Sequence, residues 1–383
     1  MERIVSTKGG LLKESYSWIL RHENFRRWEQ AIDTNRLLWI KGDPGKGKTM
    51  LLCGIIEELE QKKITPIYFF CQATDIQLNT ATNALRGLLY MLVRHRPSLI
   101  DLFRHKHEDA GKTLFEDRNA CNVLCGMIRT ALSQQTLRNV VLVIDGLDEC
   151  TTDLGRLIDF VIDTSSTVKV VASSRNWPSI ENGMTGARDK VRICLDLSPR
   201  AVSNAVTAFI DVRVGLLVKF DDETQNMIHS YLMENADGTF LWVALVCRQL
   251  ESSKTSARLA PRMMKEFPPG LDKLYVRMLE VALTSSDRET CRRILAVVSI
   301  IYRPVSLVEL ASLISIDNNT SMSDTQWLEE IIGECGSLLV IKKGIVNFVH
   351  QSTKDFLMRK EIICRVMPAG LKKEHHLLSS NSL

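Results

Sequence analysis

Residues 42–49 read Gly42-Asp43-Pro44-Gly45-Lys46-Gly47-Lys48-Thr49, a complete G-x-x-x-x-G-K-[ST] pattern. The spacing has a physical logic. Gly45 and Gly47 allow left-handed backbone angles, so that main-chain N–H groups can close on phosphate oxygens. Lys48 brings a point charge toward the β- and γ-phosphates, and the Thr49 hydroxyl is a hard oxygen ligand suited to Mg²⁺. Met50 continues into a helix-like run, which aims a positive helix end at the same anion. Just before the loop, Leu37-Leu38-Trp39-Ile40 is a short apolar run of the kind a buried strand carries. Strand, glycine loop and helix in that order predict a phosphate-binding loop over 42–50.

Working outward, apolar runs of similar length recur at 67–70, 140–144, 168–172 and 191–197. Helical spacing fills the gaps, at 50–61, 80–94, 119–133 and 154–163. Strands alternating with helices predict an α/β domain whose parallel sheet is covered on both faces. Ahead of it, Leu11, Tyr16, Trp18, Phe25 and Trp28 among charges predict one or two short amphipathic helices. After Pro199 the spacing is helical only, with a break at Pro268-Pro269-Gly270. A short alternating pattern then surrounds Lys343-Gly344 and predicts a hairpin. The plan is a helical lead-in over 1–35, a P-loop domain over 36–198 and a helical domain over 199–285. Helices closed by a hairpin over 286–366 are consistent with a winged helix, and 367–383 reads as a polar tail.

The run Val140-Val141-Leu142-Val143-Ile144 ends in Asp145-Gly146-Leu147-Asp148-Glu149. A buried strand beside the phosphate loop would set Asp145 where it holds Mg²⁺, directly or through water. Asp148 and Glu149 would orient or deprotonate an attacking water. The run at 168–172 leads into Ser173-Ser174-Arg175, and Arg175 is a candidate sensor of the γ-phosphate. The plainer alternatives are a solvated acidic turn and a surface arginine.

Composition bounds the rest. With one domain per ~100–200 residues, 383 residues give two to four domains, and 45% hydrophobic with 25% charged residues is ordinary globular usage. No apolar run approaches the ~18 residues of a membrane helix, and the N-terminus has no apolar signal core. Forty-nine basic against 45 acidic residues leave a net charge of +4, too even to argue for nucleic acid or an anionic membrane as partner. Ten cysteines are scattered along the chain. Cys121 and Cys125 have no second pair or histidine cluster to complete a zinc site, so free thiols in a reducing cytoplasm are expected.

The loop, Ile144-Asp145-Gly146-Leu147-Asp148-Glu149-Cys150 and Ser173-Ser174-Arg175 together resemble the NACHT class of signal-transduction (STAND) NTPases, in its fungal heterokaryon-incompatibility branch. The likeness extends to Leu38-Trp39-Ile40-Lys41, Phe69-Phe70-Cys71-Gln72, Gly238-Thr239-Phe240-Leu241-Trp242-Val243-Ala244, Pro268-Pro269-Gly270-Leu271 and Val349-His350-Gln351-Ser352. It covers about residues 10–360. The resemblance implies a switch, closed with bound diphosphate and open and self-associating with triphosphate, with slow Mg²⁺-dependent hydrolysis. It also implies that His350 touches the β-phosphate of the diphosphate. Only a contact that differs between two states shifts their populations. Many relatives carry Gly-x-Pro where this chain has Gly238-Thr239-Phe240, which leaves ATP and GTP both open. Members of the class usually add an N-terminal effector and a C-terminal repeat array. Their absence here suggests a truncated product, a partial gene model or a stand-alone switch. A nucleotide-binding scaffold without significant turnover is the second reading.

Overall fold

In the computed structural model the described residues are 1–374 without 8–9, 33, 112–118, 135–136, 138, 188–189, 252–257, 302 and 315–321. They form two compact units, Met1–Phe209 and Ile210–Leu383. The first is built on five strands: β1 (Leu37–Lys41), β2 (Thr65–Phe70), β3 (Val140–Asp145), β4 (Lys169–Ser174) and β5 (Lys190–Cys194). All pairs are parallel, and the order across the sheet is β2-β3-β4-β1-β5. The apolar runs follow from burial on both faces, and β3 is buried at every residue. On one face Leu37, Trp39, Ile67, Leu142 and Ile144 join a core with Leu85, Leu88, Leu124, Ile128 and Phe160.

Two expectations change. The sequence reading set the strand of Asp145 beside that of the phosphate loop, but β4 lies between them, with Ile40 opposite Ser173 and Ile144 opposite Ala172. The strand expected over 191–197 stops at Cys194, and Leu195–Leu197 form a short 3₁₀ turn. At this turn Leu195 packs on the phosphate loop; a Cβ on Gly42 would stand 2.9 Å from that of Leu195. β4 also runs on through Ser173 and Ser174, both fully buried. Their hydroxyls hid them from a reading of apolar runs.

The lead-in forms the helices Glu2–Thr7, Lys13–Arg21 and Glu23–Glu29, the first too short to register as a period. Tyr16 lies across Gly54 of the helix Lys48–Gln61, where a Cβ would come 2.3 Å from the tyrosine ring. The Tyr16 hydroxyl donates to Glu57 Oε2 at 2.6 Å.

The second unit contains the helices Asp222–Asn235, Phe240–Glu251 and Leu271–Thr284, followed by Arg288–Ile300, Leu307–Ile314 and Asp324–Glu334. The strands β6 (Val305–Ser306), β7 (Leu339–Lys342) and β8 (Ile345–Phe348) form an antiparallel sheet in the order β6-β8-β7. Lys343 (φ 51°) and Gly344 (φ 73°) make its tight turn, both in the left-handed region a two-residue hairpin loop requires. Helices closed by this wing form a winged-helix domain. Buried Trp242 donates to Pro268 O at 2.9 Å, which ties the Gly238–Ala244 segment to the Pro-Pro-Gly break. Among the described residues no helix is long and apolar enough to cross a membrane. Residues 375–383 of the expected polar tail lie outside the described residues.

Candidate functional site

The loop after β1 has the backbone its sequence demands. Gly45 (φ 79°) and Gly47 (φ 84°) sit in the left-handed region, and Gly47 caps the helix Lys48–Gln61. Side chains larger than hydrogen are strained there. Lys48 Nζ donates to Gly42 O at 2.5 Å and to Asp43 O at 3.0 Å, so the lysine is folded along its own loop. Thr49 and Met50 follow in the first turn of the helix, both half-buried.

Because β4 separates β1 from β3, its last residues lie between the phosphate loop and the acidic strand end. Buried Asp145 accepts through Oδ1 from the Ser173 hydroxyl, and that hydroxyl accepts from Gly146 N at 3.0 Å. Ser174 accepts from Trp39 Nε1 at 3.0 Å, locking β4 to β1. Arg175 meets Asp148 twice: its backbone N–H donates to Oδ1 at 2.9 Å and its Nε pairs with Oδ2 at 2.9 Å. The two side chains are only 11% and 3% exposed. Glu149 Oε2 accepts from Ala73 N at 3.1 Å, in the loop after β2.

These groups set one another's charge. Burial lowers the Lys48 pKa, with Asp148 and Asp145 pulling it back and Arg175 lowering it further. Burial raises Asp148, opposed by Arg175 and Lys48. Burial, joined by the charges of Asp148 and Asp145, pushes Glu149 up to about 7. Thus Lys48, Asp145, Asp148, Glu149 and Arg175 converge at the loop end of the sheet. The sequence reading named Ser173 as part of the polar strand end but not as the partner of Asp145, and it missed a clasp on the phosphate loop in which Asn176 Nδ2 donates to Asp43 Oδ1 at 3.2 Å and to Asp196 Oδ2 at 2.6 Å. The signal that pointed to Ser173 is a polar residue closing an apolar strand. Asn176 and Asp196 carry no local signal.

Asp145 and Thr49 supply oxygen donors only, which suits a Mg²⁺ that keeps most of its ligands as water and phosphate. Among the described residues no group of three or more His, Cys, Asp or Glu side chains forms an all-protein metal cage.

His350 lies in the second unit, at the start of the helix Gln351–Leu357. Its Nδ1 accepts from Ser352 N at 3.1 Å and lies 2.7 Å from Ser352 Oγ. An Nδ1 that accepts an N–H is unprotonated, so the ring proton of neutral His350 sits on Nε2.

The fold and this constellation are those of a P-loop NTPase domain with helical and winged-helix domains following it. Residues 14–175 match the family described as Nephrocystin 3, N-terminal, and residues 278–365 match the GPI inositol-deacylase, winged helix domain family. The chain is similar to vegetative incompatibility protein HET-E-1 of Podospora anserina, with 46% identity over 403 residues covering 100% of this chain and 29% of that protein. It is a NACHT-type, HET-E-like protein, spanning under a third of that relative's length. Among solved structures, a Walker-type ATPase of Pyrococcus abyssi gives a TM-score of 0.40 at 12% identity, covering 88% of this chain and 95% of that one. AMPPCP-bound DnaA from Aquifex aeolicus gives 0.38 at 14% identity, covering 86% and 91%. Neither likeness is close enough to carry an argument.

Proposed function

We propose that this chain is the nucleotide-switch core of an incompatibility-type signalling protein, which binds ATP or GTP with Mg²⁺, hydrolyses it slowly and self-associates in the triphosphate state. The observation that carries the reading is the convergence of Lys48, Asp145, Glu149 and the Asp148–Arg175 pair at the end of β1, β3 and β4.

The loop Gly42–Thr49 wraps the phosphates with its N–H groups, and Lys48 swings from its own carbonyls to the β- and γ-oxygens. Mg²⁺, held by Thr49 and Asp145, would neutralise charge on the β- and γ-phosphate oxygens. Ser173 fixes the Asp145 carboxylate for that task. Of the two acids after Asp145, Glu149 is assigned to accept the proton of the attacking water. Asp148 is committed to Arg175, which it aims toward the γ-phosphate. A base near 7 is well matched to proton transfer at neutral pH. His350 Nε2–H is the donor we assign to the β-phosphate of a diphosphate, which would favour the closed state by differential affinity. No nucleic acid or membrane partner is assigned, and we place the chain in the cytoplasm.

The test is to denature the purified chain and identify any nucleotide released, then measure mass in solution with and without a non-hydrolysable triphosphate. Exchangeable nucleotide and a triphosphate-dependent rise in mass support the switch. Permanently bound diphosphate with no turnover supports the scaffold. His350→Ala should weaken diphosphate binding and leave triphosphate binding unchanged; equal loss of both removes His350 from the switch.

A further inference from the structure

The sheet ends at β2. Thr65 N donates to Asn139 O at 2.9 Å and Cys71 N to Asp145 O at 3.0 Å, so the odd-numbered residues of this strand face β3. In a parallel ladder the direction of the N–H and C=O groups alternates residue by residue. Pro66, Tyr68 and Phe70 therefore turn theirs outward. Pro66 has no N–H to offer, which suits an edge position. The outward N–H of Tyr68 donates to the Met91 thioether at 3.4 Å, a weak acceptor that a carbonyl can replace.

A groove of about 530 Å³ runs along Thr65–Tyr68, between the C-terminal ends of the helices Lys48–Gln61 and Ala81–His95. Its rim carries Lys63, Arg94, His95 and Glu60, all exposed. Tyr90 and Arg86 lie one and two turns before Arg94 on the same helix face, also exposed, Tyr90 at 65%. The groove thus opens onto a basic strip with an aromatic at its middle.

We propose that this groove docks an extended, acidic segment of a partner protein, which adds to the outer edge of β2 as a sixth strand. A carbonyl of the incoming strand takes the Tyr68 N–H from Met91, and its N–H groups donate to Pro66 O and Tyr68 O. Alternate side chains stand against Lys63, Arg94 and His95. Charge selects the occupant. Lys63, Arg86 and Arg94 outnumber Glu60 and Glu2, whose charges both act on Tyr68, so a second copy presenting the same edge is disfavoured by like charge, whereas carboxylates are complementary.

The probe is a fluorescein-labelled heptapeptide alternating valine and glutamate, titrated into the full chain by anisotropy. Saturable binding is expected, with protection of the Tyr68 amide from hydrogen exchange. It should weaken about tenfold or more in Lys63→Glu/Arg94→Glu, at unchanged nucleotide affinity. N-methylation of alternate peptide amides should abolish it, because the backbone donors are gone. Three results would overturn the proposal: no saturable binding at millimolar peptide, indifference to both the charge reversal and N-methylation, or tighter binding of a single-stranded oligonucleotide to the same rim.

Discussion

Glu149 concentrates the physics of the site in one side chain. It is a carboxyl pressed between burial and two neighbouring acids, with the Ala73 N–H and the Arg175 charge in its favour, and its pKa rises from 4.5 to about 7. The sign follows from which state holds the proton. Between those values the folded chain binds more protons than the unfolded one, so folded stability falls as pH rises from about 4.5 through about 7. A shift of that size corresponds to about 3 kcal/mol. In nucleotide-free, Mg²⁺-free urea titrations, Glu149→Gln should gain on the wild type by that order between pH 5 and 8. A difference that stays flat with pH contradicts the buried acid. With nucleotide and Mg²⁺, turnover should rise with pH as Glu149 ionises, and Glu149→Gln should lose roughly 10²–10⁴-fold in rate with binding intact. Unchanged turnover removes Glu149 from catalysis. At this scale the sequence was legible where chemistry is tied to local backbone: Gly45, Gly47, Lys48 and Thr49 must be neighbours to work. Asn176 and Asp196 were invisible because each acts on Asp43 across the chain.

At the scale of elements, the clasp joins three of them: the loop after β1, the end of β4 and the turn after β5. Asn176 is exposed, so Asn176→Ala should cost about 1 kcal/mol of stability or less. It should nonetheless weaken nucleotide binding severalfold by loosening Asp43, as isothermal titration would read. An unchanged affinity means the clasp does not position the loop. Gly54 makes a sharper case. A methyl there meets the Tyr16 ring, and Gly54→Ala should cost about 1–3 kcal/mol by overpacking. Adding Tyr16→Ala should remove most of that increment in a double-mutant thermal-melt cycle. Additive losses would say the lead-in helix is not seated there. The existence of each strand of the parallel sheet was legible from its apolar run. The place of β4 between β1 and β3 was not, because neighbours in a parallel sheet are chosen by crossovers and packing rather than by the strand's own residues. That one insertion puts Ser173 on Asp145 and Arg175 on Asp148.

For the whole molecule, the chain divides into two compact units, Met1–Phe209 and Ile210–Leu383, whose separate sensitivities can be read. Gly336 (φ 64°) lies against Met278 O, 1.9 Å from where a Cβ would stand. Gly336→Ala should destabilise the second unit by roughly 3 kcal/mol or more while leaving phosphate-loop binding in the first. Loss of both together means that the two units unfold as one. The winged helix was legible only as helices followed by a hairpin around Lys343-Gly344; β6, two residues long, is too short to leave a pattern. The central claim is that Gly42–Thr49 and the groups gathered behind it form a working nucleotide site. Equilibrium titration of a fluorescent nucleoside triphosphate and diphosphate with Mg²⁺, on wild type and Lys48→Ala of matched circular dichroism, tests it most directly. The account predicts saturable binding to the wild type, weakened about tenfold or more in the variant through loss of a charged contact worth about 1.5–3 kcal/mol. Equal affinity in the two proteins, or no binding to either, would contradict it.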